Sequence, residues 1–304
     1  MIIEREDQVT EAVLSETQRI EDPRLKQIIQ SLIRHLHGFA QEVRLTEEEF
    51  NSAINLVSDL GRLTTASHNE TRLIAGSLGL STLVCMMNNS GTTANLLGPF
   101  WRKDAPQVEN GGSIVRSPTA GHPFFFTGHV VDTEGRPIGG AHVDVWHAST
   151  KGLYENQDPG QADWNLRGRF ITDETGHFNY RTIKPSGYPV PAGGPTEKLL
   201  NVQHRHPFRP AHLHALVYKE GFKTIASQVY CDDDENLTTD AQFGVITNAI
   251  GHCVRHEEAA PDSDVQGPWY SMAYTFVLKR GESWLPTPPV SAKSNVAAAM
   301  MGTA

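Results

Sequence analysis

From about residue 120 onward the chain alternates short runs of β-branched and aromatic residues with turn signals, and no other feature limits the fold as much. Phe124–Val131, Ala141–His147, Arg169–Thr172, His177–Tyr180, His212–Tyr218, Thr224–Tyr230 and Tyr270–Leu278 read as strands. D-T-E-G-R-P, Asp132 to Pro137, and D-E-T-G, Asp173 to Gly176, supply turns between them. Many short strands at such intervals predict a mainly β chain built on an antiparallel β-sandwich. Gly187 to Gly194 is too rich in Pro and Gly for regular structure and reads as a long loop, a frequent place for function.

One of these strands carries R-P-A-H-L-H, with His212 and His214 at alternate positions. Side chains two residues apart on a strand share a face, so the imidazoles form half of a metal site. On spacing alone the pair fits a zinc or copper site as well as an iron site. Tyr154, in G-L-Y-E, and Tyr188, in P-S-G-Y-P, sit in loops upstream. A phenol ionises near pH ~10 in water, and a trivalent cation lowers that value strongly. Phenolate is a hard anionic donor suited to Fe(III), whereas zinc favours thiolate, imidazole and carboxylate. Two tyrosines with His-x-His therefore suggest one Fe(III) per chain, acting as a Lewis acid on a chelating diol. The remaining histidines, including His35, His37 and His147, read as surface or hydrogen-bonded core.

The first third reads helical. Leu25, Ile28, Ile29, Leu32 and Leu36 form one apolar stripe that ends near Gly38. Thr46 and Glu49 fit a capping box for a second helix, with Phe50, Ile54 and Val57 on one face and Gly61 at its end. A third segment, Thr71 to Met87, is apolar enough to be buried, although Gly76 and Gly79 interrupt it.

The balance of 26 basic against 35 acidic residues, net −9, has no basic run, so nucleic acid is a poor partner. No stretch is long and apolar enough for membrane insertion, and the N-terminus has no signal core. Cys85, Cys231 and Cys253 share no ligand spacing and read as reduced packing thiols in a cytoplasmic protein.

The motifs together resemble a family. L-L-G-P-F-W, G-R-P-I-G-G-A-H-V-D-V-W-H-A, G-L-Y, D-W-N-L-R-G-R-F, I-K-P-S-G-Y-P-V-P, R-H-P-F-R-P-A-H-L-H, S-Q-V-Y and Q-F-G-V resemble the intradiol ring-cleavage dioxygenases. R-H-L-H-G-F and L-T-E-E-E-F resemble the helical region of the catechol and hydroxyquinol 1,2-dioxygenase branch, with hydroxyquinol members the nearer. The resemblance implies Tyr154, Tyr188, His212 and His214 as iron ligands, with Arg209, Tyr188 and Gln228 in catalysis. It implies a substrate pocket made by Leu73, Gly76, Leu97, Gly98, Pro99, Phe100, Val190, Pro191 and Gln242. It implies cleavage of a small aromatic diol by O2, between its two hydroxyl-bearing carbons, to a muconate- or maleylacetate-type diacid. It further implies a helical linker and dimerisation region over 1–100, with lipid often bound there, and a catalytic β-sandwich over 101–285. Residues 286–304 read as a loose tail. Hydroxyquinol members commonly carry Asp where Gly76 stands and a small apolar residue where Gln242 stands; Gly76 is expected to leave room for a bulkier ring substituent. Without the tyrosines and the histidine pair, V-V-D-T-E-G-R-P-I-G-G-A-H-V-D-V would equally suit a non-catalytic β-sandwich binding module.

Overall fold

The computed structural model describes residues 2–65 and 68–290. The part of the expected tail from residue 291 on lies outside the described residues. The chain forms two compact units, Met1–Ser58 and Asp59–Ala304.

The first unit is helical: α1 is Val9–Glu16, α2 is Pro23–Val43, and α3, Glu47–Leu63, begins in it. Asp22 starts α2 by accepting from the amides of Arg24 at 2.7 Å and Leu25 at 2.9 Å, with Pro23 at the first helical position. Gly38 does not end this helix, which runs on to Val43; a glycine inside a helix costs only about 1 kcal/mol against alanine. The capping box is present: the Thr46 amide donates to Glu49 at 2.9 Å and the Glu49 amide to Thr46 Oγ1 at 3.2 Å. The helix it opens runs two residues past Gly61, to Leu63.

In the second unit the expected third helix is two, α4 (Glu70–Ser77) and α5 (Leu80–Asn88), broken at Leu78 and Gly79. Burial divides them. Leu73, Ile74, Gly76 and Ser77 of α4 are buried, whereas Leu80, Leu83, Val84, Met86 and Met87 of α5 are exposed, against the expectation for this segment.

Strands then dominate, so the chain is mainly sheet with helices at the N-terminus. They are β1 (Pro123–Asp132), β2 (His142–Trp146), β3 (Arg167–Ile171), β4 (His177–Ile183), β5 (Tyr188–Pro189), β6 (Phe208–Arg209), β7 (His212–Tyr218), β8 (Ile225–Cys231), β9 (Ile250–Gly251), β10 (Val254–His256) and β11 (Trp269–Leu278). One sheet has the order β10-β11-β1-β4, a second the order β3-β2-β7-β8-β9, and β5 pairs with β6 in a ribbon. All seven expected strands are present, with no end displaced by more than three residues. Two pairings, β1 with β11 and β8 with β9, are parallel, so the expected antiparallel pattern has exceptions. A further helix, α6 (Pro195–Val202), follows the Gly- and Pro-rich loop; Pro195 at its first position is the signal for it.

Both sheets feed one core. Phe124, Phe126, Phe178 and Phe276 from the first sheet and Val143, Val145, Phe170, Leu213 and Val217 from the second belong to a single buried cluster. Phe170 and Tyr180, from opposite sheets, stack with centroids 5.1 Å apart.

Candidate metal centre

β7 is buried on both faces, and its alternation divides the work. Leu213, Ala215 and Val217 join the core between the sheets. His212, His214 and Leu216 point the other way, where Leu216 packs in a second cluster with Phe100, Trp101, Trp146, Tyr154 and Tyr188. Pairing registers place Trp146 and Gln228 on either side of His214, and Tyr230 beside His212. Trp146 stacks on the His214 ring with centroids 4.7 Å apart.

Tyr154 arrives on the tight turn after β2, where the Ser149 amide donates to Leu153 O at 2.9 Å. Gly152 is needed there: its φ is 74°, and a Cβ would lie 2.6 Å from Tyr188 Cβ. Next to Tyr154, the buried Glu155 binds the guanidinium groups of Arg102 and Arg167. Arg167 also donates to Phe100 O at 2.7 Å, tying the turn to the chain before β1. Tyr188 is set by the ribbon, which pairs it directly with Arg209.

These elements bring four donor atoms into a closed ring. Tyr154 Oη lies 2.7 Å from Tyr188 Oη and 2.8 Å from His214 Nε2. His212 Nε2 lies 3.2 Å from Tyr188 Oη and 3.2 Å from His214 Nε2. Taken as a planar square, a ring with such edges has its centre roughly 2.1 Å from each corner, the length of a metal–imidazole bond. His212 Nδ1 lies 2.7 Å from Pro210 O, so it carries the proton and Nε2 turns its lone pair inward. Burial, followed by the Arg209 charge, takes His212 down to about 3, and burial with His212 beside it takes His214 well below its ordinary value. Both imidazoles are therefore neutral, the form that ligates. Burial pushes both phenols up, Tyr154 further because Tyr188 adjoins it. A cation at the centre would relieve the two lone pairs that face each other and ionise the phenols. The donor set thus fits a hard ferric ion.

Arg209 is buried and held from several sides. It donates through Nε and Nη2 to both oxygens of Asp240, each at 3.0 Å. Nη2 also reaches Gln228 Oε1 at 2.8 Å and Tyr230 Oη at 2.6 Å, and Nη1 lies 3.4 Å from His212 Nε2. Burial works against the guanidinium charge, but Asp240 and Tyr230 outweigh it and hold the group well above its ordinary value. Gln228 donates to Leu96 O at 2.9 Å, which fixes the start of the L-L-G-P-F turn. Gly98 in that turn has φ 72°, and a Cβ there would sit 2.8 Å from His214 Cε1.

A cavity of about 940 Å³ opens beside the ring. Every expected substrate-binding residue lines it: Leu73 and Gly76 from α4, the Leu97–Phe100 turn, Val190 and Pro191 after β5, and Gln242. Tyr188, Arg209 and Gln228 line it too, whereas Tyr154, His212 and His214 lie behind. Gly76 does not leave the room expected of it. The Gln242 carboxamide occupies that space, with Oε1 2.0 Å from where a Gly76 Cβ would stand.

Asp240, Tyr230, Trp146 and Glu155 are the residues that reading the motifs missed. Tyr230 had a signal, two residues after Gln228 on the same strand face; Asp240 had none. His147, read as surface or hydrogen-bonded core, is the second of these, lying 2.8 Å from Ala148 O and 2.7 Å from Thr182 Oγ1. Cys231 and Cys253 do come together with Asp233, donors within 4.8 Å, although nothing in their spacing shows it. Lys184 pairs with that carboxylate at 2.8 Å, and both thiols belong to the core cluster.

Such a site on this two-sheet scaffold defines a class, and the comparisons with known proteins agree on it. The dioxygenase family profile matches residues 96–280, and that of the catechol dioxygenase N terminus matches 22–95. The chain belongs to the intradiol ring-cleavage dioxygenases. A hydroxyquinol 1,2-dioxygenase from a Rhizobium species is 38% identical over 283 residues, covering 90% of this chain and 96% of the relative. A catechol 1,2-dioxygenase from Candida albicans is 37% identical over 238 residues, covering 76% and 78%. The crystal structure of hydroxyquinol 1,2-dioxygenase from Pseudomonas putida superposes with a TM-score of 0.81 at 34% identity, covering 91% of this chain and 99% of that one.

Proposed function

We propose that this protein uses O2 to open the ring of a catechol-type diol, whether hydroxyquinol, catechol or a substituted catechol, between its two hydroxyl-bearing carbons. The product is a muconate- or maleylacetate-type diacid. The observation that carries the reading is the closed ring of two phenol oxygens and two imidazole nitrogens that reaches the cavity through Tyr188. Tyr154, Tyr188, His212 and His214 would hold one Fe(III) per chain, at the side of a β-sandwich. Bound there, the ferric ion supplies Lewis-acid chemistry to a chelating diol.

The chain's own groups do the rest. Tyr188 is the ring member that lines the cavity, so its Oη is placed to take a proton from an incoming hydroxyl. Arg209 keeps its charge and sets it beside the ring, where negative charge builds on the diol and in the rearranging product. Gln228 and Asp240 fix that guanidinium, so no reorganisation is needed during the reaction. Phe100, Val190 and Pro191 make the cavity wall apolar next to Tyr188 and keep bulk water off the reacting carbons.

The assembly that suits the chain is a cytoplasmic homodimer formed through the N-terminal helices, with lipid able to fill space between their apolar stripes. Support comes from α2, where Leu25, Ile28, Leu32, Leu36, Phe39 and Val43 are each 46–56% exposed along one face. Among the described residues no helix is long and apolar enough to cross a membrane.

The test combines metal analysis with turnover. Purified protein is expected to carry iron near one per chain and a broad visible absorption from phenolate coordination. It should consume O2 with hydroxyquinol or catechol and form a diacid seen in the ultraviolet. Tyr154→Phe and His212→Ala should each lose iron and activity. Colourless protein loaded with zinc would sink the reading, as would full activity in both variants.

A further inference from the structure

The cavity wall at α4 contains an arrangement that bears on which diol is taken. Gly76 leaves a notch on α4, and the Gln242 side chain plugs it: a Cβ at residue 76 would lie 2.0 Å from Gln242 Oε1 and 2.9 Å from Cδ. Gln242 Nε2 donates to Ser77 Oγ at 2.6 Å, which locks the amide against the helix. Its backbone amide donates to Asp240 Oδ1 at 3.1 Å, so the loop is anchored by the carboxylate that holds Arg209. Both residues line the cavity, and among the described residues nothing donates to Gln242 Oε1. Gln242 Oε1 is not buried away from the cavity, so it is free to accept from a ligand that bears a donor.

We propose that Gly76 and Gln242 act as one specificity element: the plugged notch presents an amide oxygen that favours a ring carrying a third hydroxyl over catechol. The inference rests on the ring-cleavage reading above. An alkyl or halogen substituent at this wall leaves the oxygen unpaired and meets a filled notch. A ring hydroxyl donates to it. One neutral hydrogen bond of this kind is worth roughly three- to ten-fold in kcat/KM.

The experiment compares kcat/KM for hydroxyquinol (benzene-1,2,4-triol) with that for catechol in the wild type and three variants. Gln242→Leu keeps the plug and removes the acceptor; the hydroxyquinol-to-catechol ratio should fall at least threefold. Gly76→Ala leaves Gln242 in the chain but evicts its amide, and should lower the ratio by a similar factor. The double variant should be no worse than Gln242→Leu alone, because both changes remove the same contact. Iron content and the visible band report whether each variant is assembled. Should Gln242→Leu fail to load iron, Gly76→Ala carries the test with the same threshold. A fall of less than threefold in assembled variants, or additive effects in the double, overturns the inference alone. Wild-type protein that turns over neither diol overturns it together with the reading it rests on.

Discussion

Asp240 links more of the site than any ligand does. One carboxylate receives Arg209 twice and the amides of Gln242 and Gly244, so it sets both the charge beside the four candidate ligands and the wall of the cavity. Burial pushes this carboxyl up, but the Arg209 charge and the four hydrogen bonds outweigh it and hold it below the ordinary range. Asp240→Asn keeps the shape and removes the charge. It is expected to cost about 3–5 kcal/mol of stability, because the buried guanidinium loses its counter-charge. Chemical denaturation at pH 7 checks this. The sign with pH follows from the depressed value: the ionised carboxylate stabilises the fold fully above the unfolded-state value near ~4, and that contribution is lost as pH falls through the lower folded value. The gap between wild type and Asp240→Asn should therefore narrow in acid; a gap constant from pH 7 to pH 3 would exclude the mechanism.

At the scale of elements, β7 holds the site by being buried on both faces. Its odd positions pack between the sheets and its even positions carry the histidines, so a slip of one residue would exchange them. Leu213 sits between the two imidazoles in sequence but on the other face. Leu213→Ala should lower stability by about 2–5 kcal/mol through a core cavity and leave iron stoichiometry at the wild-type value. Denaturation curves and metal analysis on the same preparation separate the two effects. Loss of iron in the folded variant would mean that β7 does not isolate its faces. The two-residue ribbon of β5 and β6 has no such reserve: it pairs Tyr188 with Arg209 and depends on the fixed Gly152 turn beneath it.

At the scale of the whole molecule, the stripe on α2 is an apolar surface in need of cover. Six large apolar side chains about half exposed on one helix face exceed the scattered apolar residues that a monomer surface tolerates. Leu32→Glu combined with Leu36→Glu should convert a dimer to a monomer in sedimentation at micromolar concentration. Wild-type protein that sediments as a monomer would remove the helical face as an interface. Neither residue lines the cavity, so ring-cleavage activity reports separately from assembly.

The strand order of types, the capped start of α3 and the four candidate ligands were all legible in the chain, because alternation, turn chemistry and donor identity are local properties. His-x-His needed only the two-residue period of a strand to be read as one face. The helix ends at Val43 and Leu63 were not, since a lone glycine slows a helix without stopping it, and α5 kept exposed an apolar run that composition alone would bury. The plug at Gly76 was invisible for a different reason: residues 76 and 242 meet only after the loop beyond β8 folds back on α4. Local chemistry, then, determined which side chains could serve an iron site and which segments would be strands. Tertiary packing alone decided that four donors close a ring, that Asp240 holds Arg209, and that the space beside Gly76 is filled, because contacts between segments distant in the chain leave no periodic mark on the sequence.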